Sequence, residues 1–197
     1  MSPQVVLSGP DADTVLASVA HDGTEQLLAV AGTASPVSWT APDGWEIEGV
    51  LCVPDGPGPF PLVVNVHCGP LWSFQDSWSM NYPWVPLLVS RGYAVLNPNP
   101  RGSSGRGQVF ARAVVHDMGG AYADDLLSGV DALVDRGIAD PARGGLIGRS
   151  YGGFMSSWLS TRSTRFAAAV PTSPVTDWYS QSFTSNIADD TKPLAGR

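Results

Sequence analysis

The sequence is poor in charged residues and has no excess of positive charge. Charged residues make up 15% of its 197 residues, and the formal net charge is −7 at pH 7. Such a chain has no general electrostatic attraction for nucleic acid or for anionic membranes, so neither is an expected partner. It also lacks an apolar run of about 18 residues, the length that a membrane-spanning helix requires. With 43% hydrophobic residues, the composition favours a folded globular domain.

The chain also has few residues that bind metals or redox cofactors. Its only cysteines are Cys52 and Cys68, and their spacing fits neither a zinc site nor a redox pair. Glycine-rich phosphate loops and haem-attachment motifs are missing as well, so we expect no metal and no cofactor. The first residues lack the basic start and the apolar stretch of a secretory signal. We therefore expect a cytoplasmic protein with reduced thiols.

A third absence concerns histidine. The chain contains only His21, His67 and His116, and all three precede Ser150. Residues 148–153 read G-R-S-Y-G-G, between an apolar pair and a helix-like stretch. This frame is typical of a nucleophile elbow, in which small residues let a strand turn sharply into a helix and present the serine oxygen. The frame also arises by chance in glycine-rich chains or simply caps a helix, so both interpretations stay open on the motif alone.

The hydrophobic pattern predicts an α/β fold. Residues 14–30 and 37–51 each read as a β-hairpin around an Asp-Gly turn. Beyond them, short apolar runs alternate with helical spacing, which favours a mostly parallel sheet with flanking helices. The predicted strands are residues 62–66, 93–96, 145–148 and 166–170, the last stopped by Pro171, and the predicted helices are residues 83–90, 106–116, 120–136 and 151–161.

A second candidate element of the site follows the strand at 62–66. Residues 67–70 read H-C-G-P, and a glycine-containing loop in this place can offer a backbone N–H to an oxyanion. The sequence predicts Gly69 as one oxyanion donor and Tyr151 as the other. We expect His67 to order this loop and not to act as the general base. Cys68 is expected to be an inert thiol and not a nucleophile.

Taken in order, these segments resemble the prolyl oligopeptidase family of serine peptidases. The loop at 67–70 is similar to the H-G-G-P segment of that family, with Cys68 where the family usually has glycine. The resemblance is closest to the acylaminoacyl-peptidase and dipeptidyl-peptidase branches and covers roughly residues 38–180. The other segments that carry it are residues 91–96, 99–107, 119–120, 124–125 and 148–154.

The resemblance implies both an architecture and site roles. Residues 37–197 would form the first portion of an α/β-hydrolase peptidase domain, and residues 1–36 the last strands of a β-propeller that restricts access to short peptides. Ser150 matches the nucleophile, and Tyr151 and Gly69 match the oxyanion donors. The substrates implied are short peptides.

The acid and base of the family lie far beyond the nucleophile. After Ser150 the only carboxylates are Asp177, Asp189 and Asp190, and no histidine follows any of them. All three lie much closer to Ser150 in the sequence than the catalytic aspartate of the family lies to its nucleophile. We therefore expect a truncated catalytic domain with negligible peptidase activity. The alternatives are a carboxylesterase-type α/β-hydrolase, which the segments at 99–107 and 119–125 disfavour, and a non-catalytic fragment.

The remaining polar residues have structural interpretations. The resemblance implies that Arg101 orders the loop near the site, whereas the sequence alone allows a surface arginine equally well. Asp124 and Asp125 are expected to interact favourably with the positive end of the dipole of the helix at 120–136. His116 and Asp117 are expected to form a solvated helix end. An apolar strand at 166–170 without a further neighbour would leave an open sheet edge, so we expect self-association.

Overall fold

The hairpins and alternating segments fold as the hydrophobic pattern indicates. The computed structural model describes residues 15–21, 24–30, 32–75, 82 and 84–186, with the first two ranges described by their backbone alone. The strands are β1 (Val15–His21), β2 (Thr24–Val30), β3 (Gly32–Thr40), β4 (Glu46–Pro54), β5 (Phe60–Val66), β6 (Ala94–Asn99), β7 (Ala139–Arg149) and β8 (Phe166–Thr172). The helices are α1 (Trp84–Val89), α2 (Gln108–Arg112), α3 (Ala121–Asp135), α4 (Tyr151–Arg162) and α5 (Trp178–Thr184).

Six of the strands form one mixed sheet in the order β3-β4-β6-β5-β7-β8. The pairs β5–β6, β5–β7 and β7–β8 are parallel, while β3–β4 and β4–β6 are antiparallel. Parallel neighbours require crossover connections, and here helices supply them. The predicted α/β class, a mostly parallel sheet with flanking helices preceded by hairpins, is confirmed.

The first two strands form a separate antiparallel pair, with Val15 opposite Val30. Strand β3 begins at Gly32 and runs through residue 36 within the six-stranded sheet. The assignment of residues 1–36 to a β-propeller stays a prediction.

The core lies between the sheet and its helices because the apolar residues recur at the right period on both. In α3 the buried residues Tyr122, Leu126, Val130 and Leu133 recur every three or four positions, which places them on one face. Strand β6 is buried along its whole length, as expected for a central strand covered on both sides.

Several predicted elements have other bounds in the structure, and three of them are informative. Strand β8 does not stop at Pro171 but continues to Thr172, because an edge strand tolerates a residue without an N–H. Strand β7 begins at Ala139, six residues before the predicted start, through a polar stretch that pairs with Phe60 and, after a register shift, with Leu62. The helix predicted at 106–116 is α-helical only over Gln108–Arg112.

Helix α5 was not predicted. Its N-cap is Asp177, whose carboxylate accepts hydrogen bonds from the N–H groups of Tyr179 and Ser180. This cap is a recognisable start signal. Among the described helices, none combines the length and apolar character needed to cross a membrane.

We predict that strand β8 mediates self-association, because it is the last strand of the described sheet and carries no charge. Light scattering should show a mass that rises with protein concentration. Val170 is 55% exposed on β8, so Val170→Lys should reduce the association. Val109, 78% exposed on α2, provides the matched control, and Val109→Lys should leave it unchanged. A wild-type chain that stays monomeric at high concentration would refute this prediction.

Candidate active site at the start of helix α4

Ser150 lies in a strained turn between β7 and α4. Its backbone has φ 58° and ψ −115°, a region that residues with a Cβ rarely occupy. Its N–H donates to the Thr172 carbonyl at 2.9 Å, and its carbonyl accepts the Phe154 N–H at 2.9 Å. The turn is therefore held by a backbone hydrogen bond on each side, and the half-buried Ser150 stands at the tip.

The glycines of the motif are required by close backbone contacts. A Cβ on Gly148 would lie 2.3 Å from the Gly152 carbonyl oxygen, and one on Gly152 would lie 2.1 Å from the carbonyl oxygen of Val66. A Cβ on Gly153 would lie 2.8 Å from the Thr172 carbonyl oxygen. The first turn of α4 thus presses against the carboxyl ends of β5, β7 and β8. A larger residue at these positions would force the helix away from the sheet.

These contacts bring the two predicted parts of the site together. Val66 is the register partner of Gly148, so the loop leaving β5 and the turn leaving β7 emerge side by side. Gly69 lies in that loop with φ +124°, and a Cβ there would sit 2.7 Å from the Leu71 nitrogen. Gly69 is exposed. The predicted nucleophile and oxyanion loop therefore share one edge of the parallel sheet.

The start of α4 supplies free backbone donors. Because the first helical hydrogen bond is Phe154 N–H to Ser150 carbonyl, the N–H groups of Tyr151 to Gly153 have no partner within the helix. The Tyr151 side chain is buried, and its hydroxyl donates to the Met118 carbonyl at 2.7 Å. This anchoring fixes the backbone at the residue predicted as an oxyanion donor. The helix dipole adds positive potential there.

His67 is a buried structural residue. Its Nδ1 lies 2.8 Å from the Cys68 carbonyl and its Nε2 3.0 Å from the Ser103 hydroxyl. The rings of Trp72, Phe74 and Tyr122 surround the imidazole at centroid distances of 5.6–6.4 Å. Burial lowers the pKa of His67 to about 4, although the Cys68 carbonyl opposes the shift. These contacts agree with the predicted ordering of the loop.

Ser103 connects His67 to a buried ion-pair cluster. The Ser103 hydroxyl also lies 2.6 Å from the Pro100 carbonyl. The next residue in this loop is Arg101, which makes a bidentate contact with Asp125. The Arg101 guanidinium donates to Asp125 at 2.9 and 2.7 Å and to Asp43 at 2.6 and 2.9 Å. Arg101 orders this loop, as predicted.

The role predicted for Asp125 was wrong. Its side chain is fully buried, and it accepts from the Arg101 backbone N–H at 2.8 Å as well as from the guanidinium. The residue binds Arg101 and does not serve the helix dipole. Asp117 instead caps α3, because its carboxylate accepts the N–H groups of Gly120 and Ala121 at 2.9 Å.

Sequence reasoning missed three supporting residues. Asp43 lies in the predicted β3–β4 turn, Ser103 lies under His67, and Asn99 hydrogen-bonds both the N–H and the carbonyl of Phe74 at 2.7 and 2.8 Å. All three contacts join segments distant in the chain, so no local pattern could have revealed them. Asp189 and Asp190, two of the three carboxylates that follow Ser150 in the sequence, lie outside the described residues.

Among the described residues, no group of three or more His, Cys, Asp or Glu side chains is arranged to hold a metal ion. Cys68 is half-buried, with its sulfur 4.0 Å from the Tyr82 hydroxyl.

The fold is that of an α/β-hydrolase, and comparisons with known proteins identify the family. The profile of the prolyl oligopeptidase family (Peptidase_S9) matches residues 78–192. An uncharacterised peptidase of Bacillus subtilis strain 168, YuxL, is 37% identical over 155 residues, covering 77% of this chain and 23% of that protein. Dipeptidyl-peptidase 5 of Aspergillus oryzae is 37% identical over 115 residues, covering 56% and 16%.

Solved structures agree. The acylaminoacyl peptidase of Pyrococcus horikoshii matches with a TM-score of 0.74 and 27% identity over 85% of this chain and 27% of that chain. A puromycin-hydrolysing peptidase of Mycobacterium tuberculosis, 23% identical, matches with a TM-score of 0.77 over 93% and 30%, and supports the fold alone. The protein belongs to the prolyl oligopeptidase family of serine peptidases. It spans well under half the length of each of these relatives.

We predict that Gly152→Ala destabilises the fold by about 2 kcal/mol or more, because the added Cβ meets backbone that cannot move without shifting β5. Gly145→Ala is the matched control in strand β7, since its nearest neighbour would be 3.7 Å away. It should change the unfolding free energy by less than about 1 kcal/mol. Urea denaturation measures both. Equal stabilities for the two variants would contradict the close approach.

We also predict an acid-sensitive stability that originates at His67. Its folded pKa of about 4 lies below the ordinary 6.5, so the unfolded chain binds a proton more readily. The unfolding free energy should therefore fall as pH drops from about 6.5 to about 4, by about 3 kcal/mol from this group. Denaturation at several pH values should show that the unfolding free energy of His67→Gln changes less with pH than that of the wild-type chain. An unchanged slope would assign the effect to other groups.

Proposed function

We propose that the protein is a serine peptidase in which Ser150 attacks the carbonyl carbon of short peptides. The Ser150 oxygen forms the new bond to that carbon, the peptide amine leaves with a proton, and water then cleaves the acyl-enzyme. The N–H groups of Tyr151 and Gly69 hold the oxyanion. One observation carries this proposal: the strained Ser150 backbone, held by glycines beside the loop that contains Gly69.

Peptides are favoured over simple esters by family membership. The relatives named above are a peptidase, a dipeptidyl-peptidase and an acylaminoacyl peptidase. The restriction to short peptides follows the proposal that residues 1–36 belong to a β-propeller, which the separate β1–β2 pair supports.

We assign the general base to residues outside these 197. His67 is unsuitable because both ring nitrogens already have partners and the ring is completely buried. No histidine follows Ser150 within the 197 residues. Losing the base of a catalytic triad costs on the order of a million-fold in turnover, so these residues alone should have negligible peptidase activity.

Labelling with a fluorophosphonate tests this assignment. The 197-residue chain should be labelled at Ser150 only, at least about a thousand-fold more slowly than an intact serine hydrolase. Mass spectrometry of the digested protein locates the label. Ser160, exposed on helix α4, provides the control: Ser160→Ala should keep the labelling and Ser150→Ala should abolish it.

Two outcomes would overturn parts of the proposal. A label elsewhere, or none at Ser150 after prolonged incubation, would remove Ser150 as the nucleophile. Labelling as fast as in an intact enzyme would show that these residues contain their own base. If a separate polypeptide supplies the acid and the base, adding it should restore turnover.

A further inference from the structure

Arg149 directly precedes Ser150 and differs in its contacts from most arginines in the described part of the chain. Nine arginines lie in the described part of the chain, and seven of them donate a hydrogen bond or contact a ring. Only Arg112 and Arg149 have neither such a hydrogen bond nor such a ring contact with the described residues. Arg112 lies on α2, whereas Arg149 ends β7, is exposed, and is followed directly by Ser150.

Three carboxylates of the described residues are engaged with other groups. Asp177 caps α5, Asp117 caps α3, and Asp125 binds Arg101. The protein has a net charge of −7, yet Arg149 pairs with none of these three carboxylates. A guanidinium in this state offers its donors to an incoming anion.

Other groups reinforce the positive potential at this edge. The N-terminus of α4, a helix of 12 residues, begins one residue after Ser150 and favours negative charge. Burial raises the pKa of Tyr82, and the charge of Arg149 acts in the opposite direction on the same hydroxyl. That hydroxyl lies beside Cys68 of the oxyanion loop. The charge of Arg149 therefore acts on a hydroxyl that lies beside the loop at 67–70.

We propose that Arg149 binds a carboxylate of the substrate close to the scissile carbonyl. The carboxylate is either the free C-terminus of a short peptide or an aspartate or glutamate side chain next to the cleaved bond. Arg149 would thus be a specificity-determining residue. This inference rests on the proposed function, because it uses Ser150 to define where substrate lies.

A binding experiment that needs no turnover tests the inference. The Ser150→Ala variant is titrated with three N-acetyl dipeptides: one with a free C-terminal carboxylate, its C-terminal amide, and an amide with an internal aspartate. Backbone amide signals of Tyr151 and Gly69, followed by NMR, report binding. We expect at least one carboxylate peptide to bind about three- to fivefold more tightly than the neutral amide, with the preference weakening as salt is added. The peptide that shows the preference identifies the source of the carboxylate.

Variants then assign the preference. Arg149→Gln in the same background should bring the ratio of affinities to about one, and Arg149→Lys should retain part of it, since lysine keeps the charge but not the fork of donors. Arg112→Gln, at the other arginine without a hydrogen bond or ring contact among the described residues, should leave the ratio unchanged. An equal ratio in Arg149→Gln and its parent, or no preference in the parent, would overturn the inference.

The two proposals fail separately. If the fluorophosphonate labels Ser150 but the carboxylate preference is missing, the peptidase proposal stands and the role of Arg149 falls. If the preference depends on Arg149 but Ser150 is never labelled, the anion site stands and the nucleophile assignment falls.

Discussion

The candidate site depends on the contact between the first turn of α4 and the end of β5. Gly152 approaches the Val66 carbonyl so closely that even a methyl group would not fit. This contact sets the distance between the turn that carries Ser150 and the loop that carries Gly69. A nucleophile and its oxyanion donors must be held to within a fraction of an ångström. Backbone-to-backbone packing is suited to this purpose, because it leaves no flexible side chain between the two elements.

The loop at 67–70 is supported by a connected series of buried and partly buried polar contacts. Asp125 and Asp43 bind Arg101, and Ser103, two residues further along the same loop, contacts His67, whose other nitrogen meets the Cys68 carbonyl. Removing one partner of a buried ion pair typically costs about 3–5 kcal/mol. Arg101 affects the site indirectly, through the loop that contains Ser103. Its contribution is to position the loop, since no part of it reaches Ser150 through the contacts described.

Much of this architecture could be predicted from local patterns, and the exceptions share a physical cause. The buried strands, the hairpin at β3–β4 and the turn at Ser150 are visible because apolar periodicity and glycine spacing are local signals. The length of β7 was missed because its first half is polar and is specified by pairing with β5. The burial of Asp125 was missed because its partner Arg101 lies 24 positions away in the chain, and a helix position alone does not distinguish exposed from buried carboxylates.

The central claim is that Ser150, Tyr151 and Gly69 form one catalytic edge, and its most direct test is a crystal structure of the phosphonylated chain after prolonged incubation with the reagent. The account predicts a phosphonyl oxygen on Ser150 within hydrogen-bond distance, about 2.7–3.1 Å, of both the Tyr151 and the Gly69 nitrogens. A phosphonyl group that points away from the loop at 67–70, with its oxygens in solvent, would contradict it.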